Sequence, residues 1–322
     1  MPRPYFQPGR TYEFVVKRPI GRRRVEHYLR ERISSPHSWA RDLLDLGCVT
    51  LDGVPCRCGD ELMFRAGAVL QVRFPDPWPP HLRPVFLPLH VLYEDEYFVA
   101  IDKPAGIVVH PARGHMGGHT LQNAVRYRYR HEIGKPGVTV AAPHRLDRET
   151  SGVILFARLS RVYSALSMLF QTRQVHKEYL AIVAGRPDFE VTAVRAPLGF
   201  DPRDCSRGMV LPTHEGGKDS HTDVYVLERG HDWALVRAVP HTGRGHQIRL
   251  HLAHIGHPVL GDDLYTLPRM CRGAQRLALH SSALAFPHPV DGRQMRIAAP
   301  LPGDLLEIIA DLQRRAGEEG FL

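Results

Sequence analysis

The chain has 322 residues, 43% of them hydrophobic, which is enough to bury one sizeable core beside a small satellite domain and excludes an intrinsically disordered protein. Its 42 lysines and arginines against 34 acids leave a net charge of +8 and a pI near 9.4, a balance that favours a polyanionic partner. Five scattered cysteines (Cys48, Cys56, Cys58, Cys205 and Cys271) exclude a disulfide framework, and no apolar run reaches the roughly twenty residues that span a bilayer. The start Met1-Pro2-Arg3-Pro4 also lacks the apolar segment of a secretory signal, so a cytoplasmic protein free of membranes is expected.

In chain order, Val25, Tyr28, Leu29 and Ile33 recur at helical spacing among Arg22, Arg23, Arg24, Arg30 and Arg32. Ser35-Pro36 reads as a helix cap followed by a second helix through Trp39, Leu43 and Leu44 that stops at Gly47. Cys48 to Leu51 is strand-like, Asp52-Gly53 is a tight turn, and Leu70, Val72 and Phe74 alternate as in a strand. Two helices and small strands of this kind resemble the alpha-L type RNA-binding domain, in degenerate form: Cys48 replaces a usual basic or polar position, and 13 basic against 9 acidic residues leave residues 1–80 at only +4. A packing domain that touches no RNA is the alternative. The prolines of Pro75-Asp76-Pro77-Trp78-Pro79-Pro80, with Pro84 and Pro88, read as a stiff linker. The expected division is therefore residues 1–75, a linker over 76–89, and a larger domain over 90–322.

Beyond the linker, Val91 to Tyr93 and Phe98 to Ile101 read as strands around a charged turn, with Ile107 to Val109 as an extended continuation. Helices are expected over Leu121 to Tyr129, over Leu159 to Phe170, and at the C-terminus through Leu305, Ile308 and Leu312; Tyr179 to Val183 and Trp233 to Val239 are strand-like. No βαβ spacing with a glycine-rich phosphate loop is present, so the fold class expected is α+β with a mixed, largely antiparallel sheet.

Three segments carry residues suited to chemistry. In His144-Arg145-Leu146-Asp147-Arg148-Glu149-Thr150-Ser151-Gly152 a carboxylate stands between two guanidinium groups, which favour its charged form and can hold a phosphate-bearing substrate beside it. Such an acid suits attack on, or stabilisation of, a sugar rather than proton donation; the alternative is a turn-capping Asp, and Thr150 and Ser151 are expected to satisfy turn amides. On the strand Gln174 to Ala181, Lys177 and Tyr179 share a face opposite Glu178, placing a phosphate contact beside an aromatic ring that can meet a base or simply pack in the core. In Thr242-Gly243-Arg244-Gly245-His246-Gln247-Ile248-Arg249, two glycines permit close backbone approach ahead of a helix ending at Gly256, from whose polar side Arg249 can grip a carboxylate with both arms of its fork.

Among the 20 histidines, His241, His246, His251, His254 and His257 lack the four-apart pair flanking a glutamate found in zinc hydrolases, and Cys56 and Cys58 have no second cysteine pair. No metal or cofactor is expected, although the spacing leaves open ligands that arrive from separate segments.

These segments, with Asp102-Lys103-Pro104-Ala105-Gly106-Ile107-Val108-Val109-His110-Pro111, Gly261-Asp262, Tyr265 and Arg276-Leu277-Ala278-Leu279-His280, resemble the RluA family of pseudouridine synthases over most of residues 90–300. The resemblance implies conversion of uridine to pseudouridine in structured RNA, with Asp147 as catalytic aspartate, Arg145 as the base-flipping or positioning arginine and Tyr179 as the active-site tyrosine. It further implies that Arg249 pairs with Asp147 and that Leu277 packs beneath the target base. By the same resemblance the aspartate acts through a glycal route, although attack on the sugar and charge stabilisation stay open on the residues alone. Gly208 departs from the family's usual lysine. Large-subunit ribosomal RNA is the leading substrate and transfer RNA the next, acted on by a monomer that needs no protein partner. A noncatalytic RNA-binding protein is the rival reading, and a glycosidase is a third that would want a second carboxylate.

Overall fold

The computed structural model describes residues 9–33, 37–74, 85–110, 120–132, 138–201, 204–266 and 274–319. The cap expected at Ser35-Pro36, most of the proline-rich linker and Cys271 lie outside the described residues. Contacts group the chain into two units, residues 1–86 with 111–141, and residues 87–110 with 142–322.

The first unit opens with β1 (Thr11–Val15), β2 (Gly21–Arg24), α1 (Val25–Ile33), α2 (His37–Asp45), β3 (Val49–Leu51), β4 (Val54–Pro55), β5 (Glu61–Phe64) and β6 (Val69–Arg73). One sheet runs β1-β6-β3-β4, and β2 pairs with β5 as a separate ribbon. Val25, Tyr28, Leu29 and Ile33 of α1 are buried with Leu43 and Leu44 of α2 and with Leu70, Val72 and Phe74. Asp52 and Gly53 both take positive φ (50° and 81°), the backbone that a two-residue hairpin between twisted strands requires. Arg22 to Arg24, expected around the first helix, instead form β2, opposite Met63, Leu62 and Glu61. A run of arginines carries no apolar alternation, so this strand is defined by its ladder and not by its side chains.

Chain order continues with β7 (His90–Glu94), β8 (Phe98–Lys103), then α3 (Leu121–Arg128) and β9 (Val138–Ala141), which group with the first unit. Thr120 and Asn123 close a capping box at the start of α3. The second unit resumes with β10 (Ser151–Leu159), α4 (Ser160–Gln171), β11 (His176–Ala184), β12 (Val191–Val194), β13 (Leu198–Asp201), β14 (Asp204–Val210), β15 (Thr222–Arg229) and β16 (Trp233–Pro240). It ends with α5 (Gln247–His254), β17 (Leu279–Pro287), β18 (Gln294–Ala298) and α6 (Gly303–Glu319).

Its main sheet runs β12-β15-β16-β11-β17-β10-β8-β7, with β18 paired to the far half of β17 and β13-β14 as a separate hairpin. Along that path only β10 and β17 pair in parallel, so the α+β class with a mixed, largely antiparallel sheet is what the chain adopts. Leu305, Ile308 and Leu312 bury the apolar stripe of α6 in the same core as β11, β15 and β16, while α4 sends Val162 and Leu166 into a second core with β8 and β10. Ile107 to Val109 do not extend β8: Gly106 turns the chain at φ 84°, and the Lys103 ammonium gathers the carbonyls of Pro104, Ile107 and Arg148, each at 2.8 Å.

The parallel pair brings the start of β10 against the start of β17, with Ser151 opposite His280 and Gly152 opposite Ser281. Gly152 is required there: its φ is 107°, and a β-carbon would stand 2.2 Å from the Ser281 carbonyl oxygen. The loop entering β10 is thus drawn against the middle of the sheet.

Candidate active site

Asp147 lies in that loop. Lys103, fully buried, and the Gly106 N–H both bind the Arg148 carbonyl, and the Thr150 N–H donates to the Asp147 carbonyl at 3.2 Å. The hydroxyls of Thr150 and Ser151 do not serve turn amides. Ser151 Oγ faces His280 Nδ1 at 2.9 Å, and the buried Thr150 hydroxyl has no hydrogen-bond partner among the described residues. Ser151 already belongs to β10, whose ladder occupies the backbone groups that its hydroxyl was expected to serve.

His144 stacks on Phe170 at 4.5 Å and accepts the Leu155 N–H on Nε2, while burial drives its pKa down to about 3; it is a neutral wedge.

The Asp147 side chain opens into a groove of about 1330 Å³. Six cationic side chains, Arg145, Arg173, Lys177, Lys218, Arg244 and Arg249, line it, and Asp147 is the single carboxylate among the described residues that do so. Lys177 and Tyr179 both face the groove from β11, whereas Glu178 meets Arg296 at 3.5 Å. Lys177 Nζ donates to the Thr242 carbonyl at 2.9 Å, and burial lowers its pKa to about 8. Burial pushes the Tyr179 hydroxyl up to about 12; the Asp147 charge adds to this and a hydrogen bond with Ser281 opposes it. Arg145 is exposed on the groove wall.

Arg249, expected on a polar face of α5 with its fork on Asp147, is instead buried and gives both arms to a different carboxylate. Its Nε and Nη2 donate to Asp262 at 2.7 Å each, and its Nη1 stands 3.6 Å from Asp147 Oδ2. Burial alone would lower the guanidinium pKa; the Asp262 hydrogen bonds and the charges of Asp262 and Asp147 raise it above its usual value. A buried guanidinium needs a full-time counter-ion, and Asp262, itself 1% exposed, serves as that ion. Asp262 also receives the N–H groups of Leu264 and Tyr265 at 2.9 and 3.1 Å. Gly261-Asp262 stood in the sequence with no role attached, because nothing local marks an acid as the partner of an arginine 13 residues earlier.

The close backbone approach expected at the two glycines ahead of α5 is not seen: a β-carbon at Gly243 would meet only Lys177 Nζ, at 3.9 Å, and one at Gly245 nothing within 4 Å. The left-handed residue of this turn is His246, at φ 55°. The turn swings the imidazole inward, so that Nδ1 meets the Tyr265 hydroxyl at 2.7 Å and Nε2 lies 3.8 Å from Asp147 Oδ1. Because Tyr265 Oη already accepts the Gly208 N–H at 2.9 Å, its proton points to Nδ1 and leaves the Nε2 proton facing Asp147. Burial, with the charges of Arg249 and Arg145, lowers the His246 pKa against the opposing pull of Asp147 and Asp262, which keeps this ring neutral. At Gly208, where the family usually has lysine, a β-carbon would stand 2.8 Å from the terminal methyl of Leu250, so a side chain there requires Leu250 to shift.

Leu277 is 3% exposed and belongs to the core beneath the sheet; Leu279, two residues on and at the start of β17, lines the groove. Leu279 is itself 3% exposed and in the same core as Leu277, and it lines the groove together with Leu198, Val239 and Ile248, whereas Leu277 does not line it.

The loop entering β10, strand β11 and helix α5 thus bring one acid, Tyr179 and the Arg249 guanidinium to a cation-lined groove, the make-up of an enzyme that works on RNA. Residues 97–254 match the RNA pseudouridylate synthase family, and the chain belongs to that family, in its RluA branch. It is 38% identical over 279 residues to the ribosomal large subunit pseudouridine synthase D of Xanthomonas campestris, covering 83% of this chain and 82% of that protein. A second relative, an RNA pseudouridine synthase of Chloroflexus aurantiacus, is 41% identical over 278 residues, covering 85% and 84%. The human RNA pseudouridylate synthase domain containing 4 shares the fold, with a TM-score of 0.57 at 24% identity over 70% of this chain and 93% of that one.

Removing Asp262 strands a buried guanidinium, so Asp262→Ala is expected to lower unfolding free energy by about 3–5 kcal/mol in a denaturant titration. The same titration on Asp263→Ala, whose carboxylate is 87% exposed and 3.6 Å from Arg249, should change little.

Proposed function

We propose that this enzyme isomerises a uridine of structured RNA, with large-subunit ribosomal RNA as substrate, and that Asp147 is the carboxylate that acts at the sugar. The observation that carries this reading is the isolation of Asp147 among six cations in the groove. A polyanion is drawn to such a surface, and a glycosidase working through two flanking carboxylates finds no second acid among the described groove residues. Ribosomal RNA is favoured over transfer RNA because two of the similar proteins are named for the ribosomal large subunit.

In the proposed reaction the target nucleotide leaves its stack, Arg145 braces the space it vacates, and the base enters between Tyr179 and Leu279. The N1–C1′ bond breaks, the uracil turns, C5 bonds to C1′, the C5 proton is lost and N1 gains one, so substrate and product are isomers and no redox partner is needed. Asp147, placed by Arg249 and His246, stabilises positive character at C1′ or removes a ribose proton on the glycal route favoured by the family resemblance. Burial holds the Tyr179 hydroxyl protonated at neutral pH, so it serves as a packing surface and hydroxyl relay rather than a standing base.

The first unit, with its alpha-L resemblance, is proposed to add RNA affinity through arginines such as Arg22 and Arg30, both exposed. The enzyme is taken to act as a monomer in the cytoplasm.

Asp147→Asn is expected to abolish single-turnover conversion while RNA affinity falls less than about threefold, since phosphate contacts dominate binding. Pseudouridine maps of total RNA from cells lacking the gene, complemented with wild type or Asp147→Asn, should differ at large-subunit ribosomal sites. Conversion by the variant would refute the role of Asp147, and a difference confined to transfer RNA would refute the substrate. Replacing Arg22 and Arg30 together by alanine should raise KM, leave kcat intact, and shallow the salt dependence of RNA binding by about one to two log units per log unit of salt.

A further inference from the structure

We propose that His221, Asp223 and His241 form a binding site for a zinc-class divalent transition cation on the lip of the groove. The three side chains stand on one face of the β15–β16 ladder. Thr222 pairs with Pro240, and the His241 N–H donates to the His221 carbonyl at 2.9 Å, so His221 and His241 are cross-strand neighbours while Asp223 follows His221 on the same face. This placement fixes three ligands on backbone that the sheet itself holds, rather than on a mobile loop.

Their donor atoms already converge. His221 Nε2 lies 2.8 Å from Asp223 Oδ1 and His241 Nε2 lies 2.7 Å from Asp223 Oδ2, while the two imidazoles stack 4.3 Å apart at 20°. One ligand atom from each residue falls within 4.8 Å of the others. Ligand atoms on a tetrahedral zinc at about 2.0–2.1 Å stand about 3.3 Å apart, so the two His–Asp contacts open by about half an ångström and the stacked rings splay to turn both Nε2 atoms toward the same ion. Both imidazoles bind as neutral rings through Nε2 once the ring proton resides on Nδ1. Two nitrogens and one carboxylate oxygen form a donor set that suits zinc, cobalt or nickel and suits magnesium or calcium poorly.

The side chains are partly shielded, at 27%, 24% and 43% exposed, and His241 lines the groove, leaving the remaining coordination positions to solvent or an incoming ligand. The site is separate from the groups that surround Asp147, and the isomerisation has no step that calls for it. No spacing rule reveals it, because Asp223 and His241 are 18 residues apart and meet only across a hairpin.

The full chain, stripped with EDTA and desalted, is titrated with Zn²⁺ against a chromophoric chelator, and its visible absorption is recorded on adding Co²⁺. One tight equivalent and the absorption bands of low-coordinate cobalt are expected. Losing a ligand should weaken Zn²⁺ by at least the 10–100-fold typical of losing a supporting partner, so Asp223→Asn and His241→Ala are expected to do so by about a hundredfold or more. His214→Ala, at an exposed histidine beside Glu215, should match wild type. His241 is the most exposed of the three ligands, and its variant carries the test should Asp223→Asn fail to fold. Absence of a stoichiometric equivalent in the wild type, or unchanged affinity in His241→Ala, would overturn the proposal and leave a hydrogen-bonded trio.

Discussion

The arrangement depends on a guanidinium taken out of water. Arg249 is 6% exposed, and such a group persists only with a permanent, well-aligned counter-ion. Asp262 meets that demand with two parallel hydrogen bonds and is itself fixed by two backbone N–H groups. With two arms occupied, Arg249 cannot swing away, and its third nitrogen remains aimed at Asp147. The 3.6 Å separation leaves the Asp147 carboxylate placed but not consumed, as the proposed role at a sugar requires.

The sheet supplies the other coordinates. The parallel contact of β10 with β17 draws the Asp147 loop inward, Lys103 ties that loop through the Arg148 carbonyl to the turn after β8, and β11 on the other side of β17 brings Tyr179 to the same groove. His246 completes the surround from a left-handed turn, a backbone state that costs on the order of 1–3 kcal/mol and persists because the ring is anchored on Tyr265. One of the three non-glycine residues with positive φ among the described residues thus stands beside Asp147.

Much of this was legible in the chain. The helix over Val25 to Ile33, the turn at Asp52-Gly53, the helix after Leu159 and the strand through Tyr179 each carry a local signal, either a periodicity or a residue suited to positive φ. The flanking arginines single out Asp147 in the sequence, and the structure places it in the groove. What escaped was non-local: the arginine-rich strand β2 exists through its partner β5, and Asp262 is recognisable only once α5 folds against its loop. The left-handed position falls on His246, whose ring meets the Tyr265 hydroxyl, and no local signal in the sequence marks a histidine for that backbone state. Leu277 and Leu279 share a side of an extended segment, and sequence alone does not say which one reaches the groove.

The most direct measurement is the single-turnover rate and RNA dissociation constant of Arg249→Lys, which keeps the charge and removes the fork. Loss of the aligned nitrogen should lower the rate about a hundredfold while the dissociation constant stays within about threefold. A lysine enzyme that converts uridine at the wild-type rate would contradict the account, since position 249 would then need only a charge and not a guanidinium clamped by Asp262.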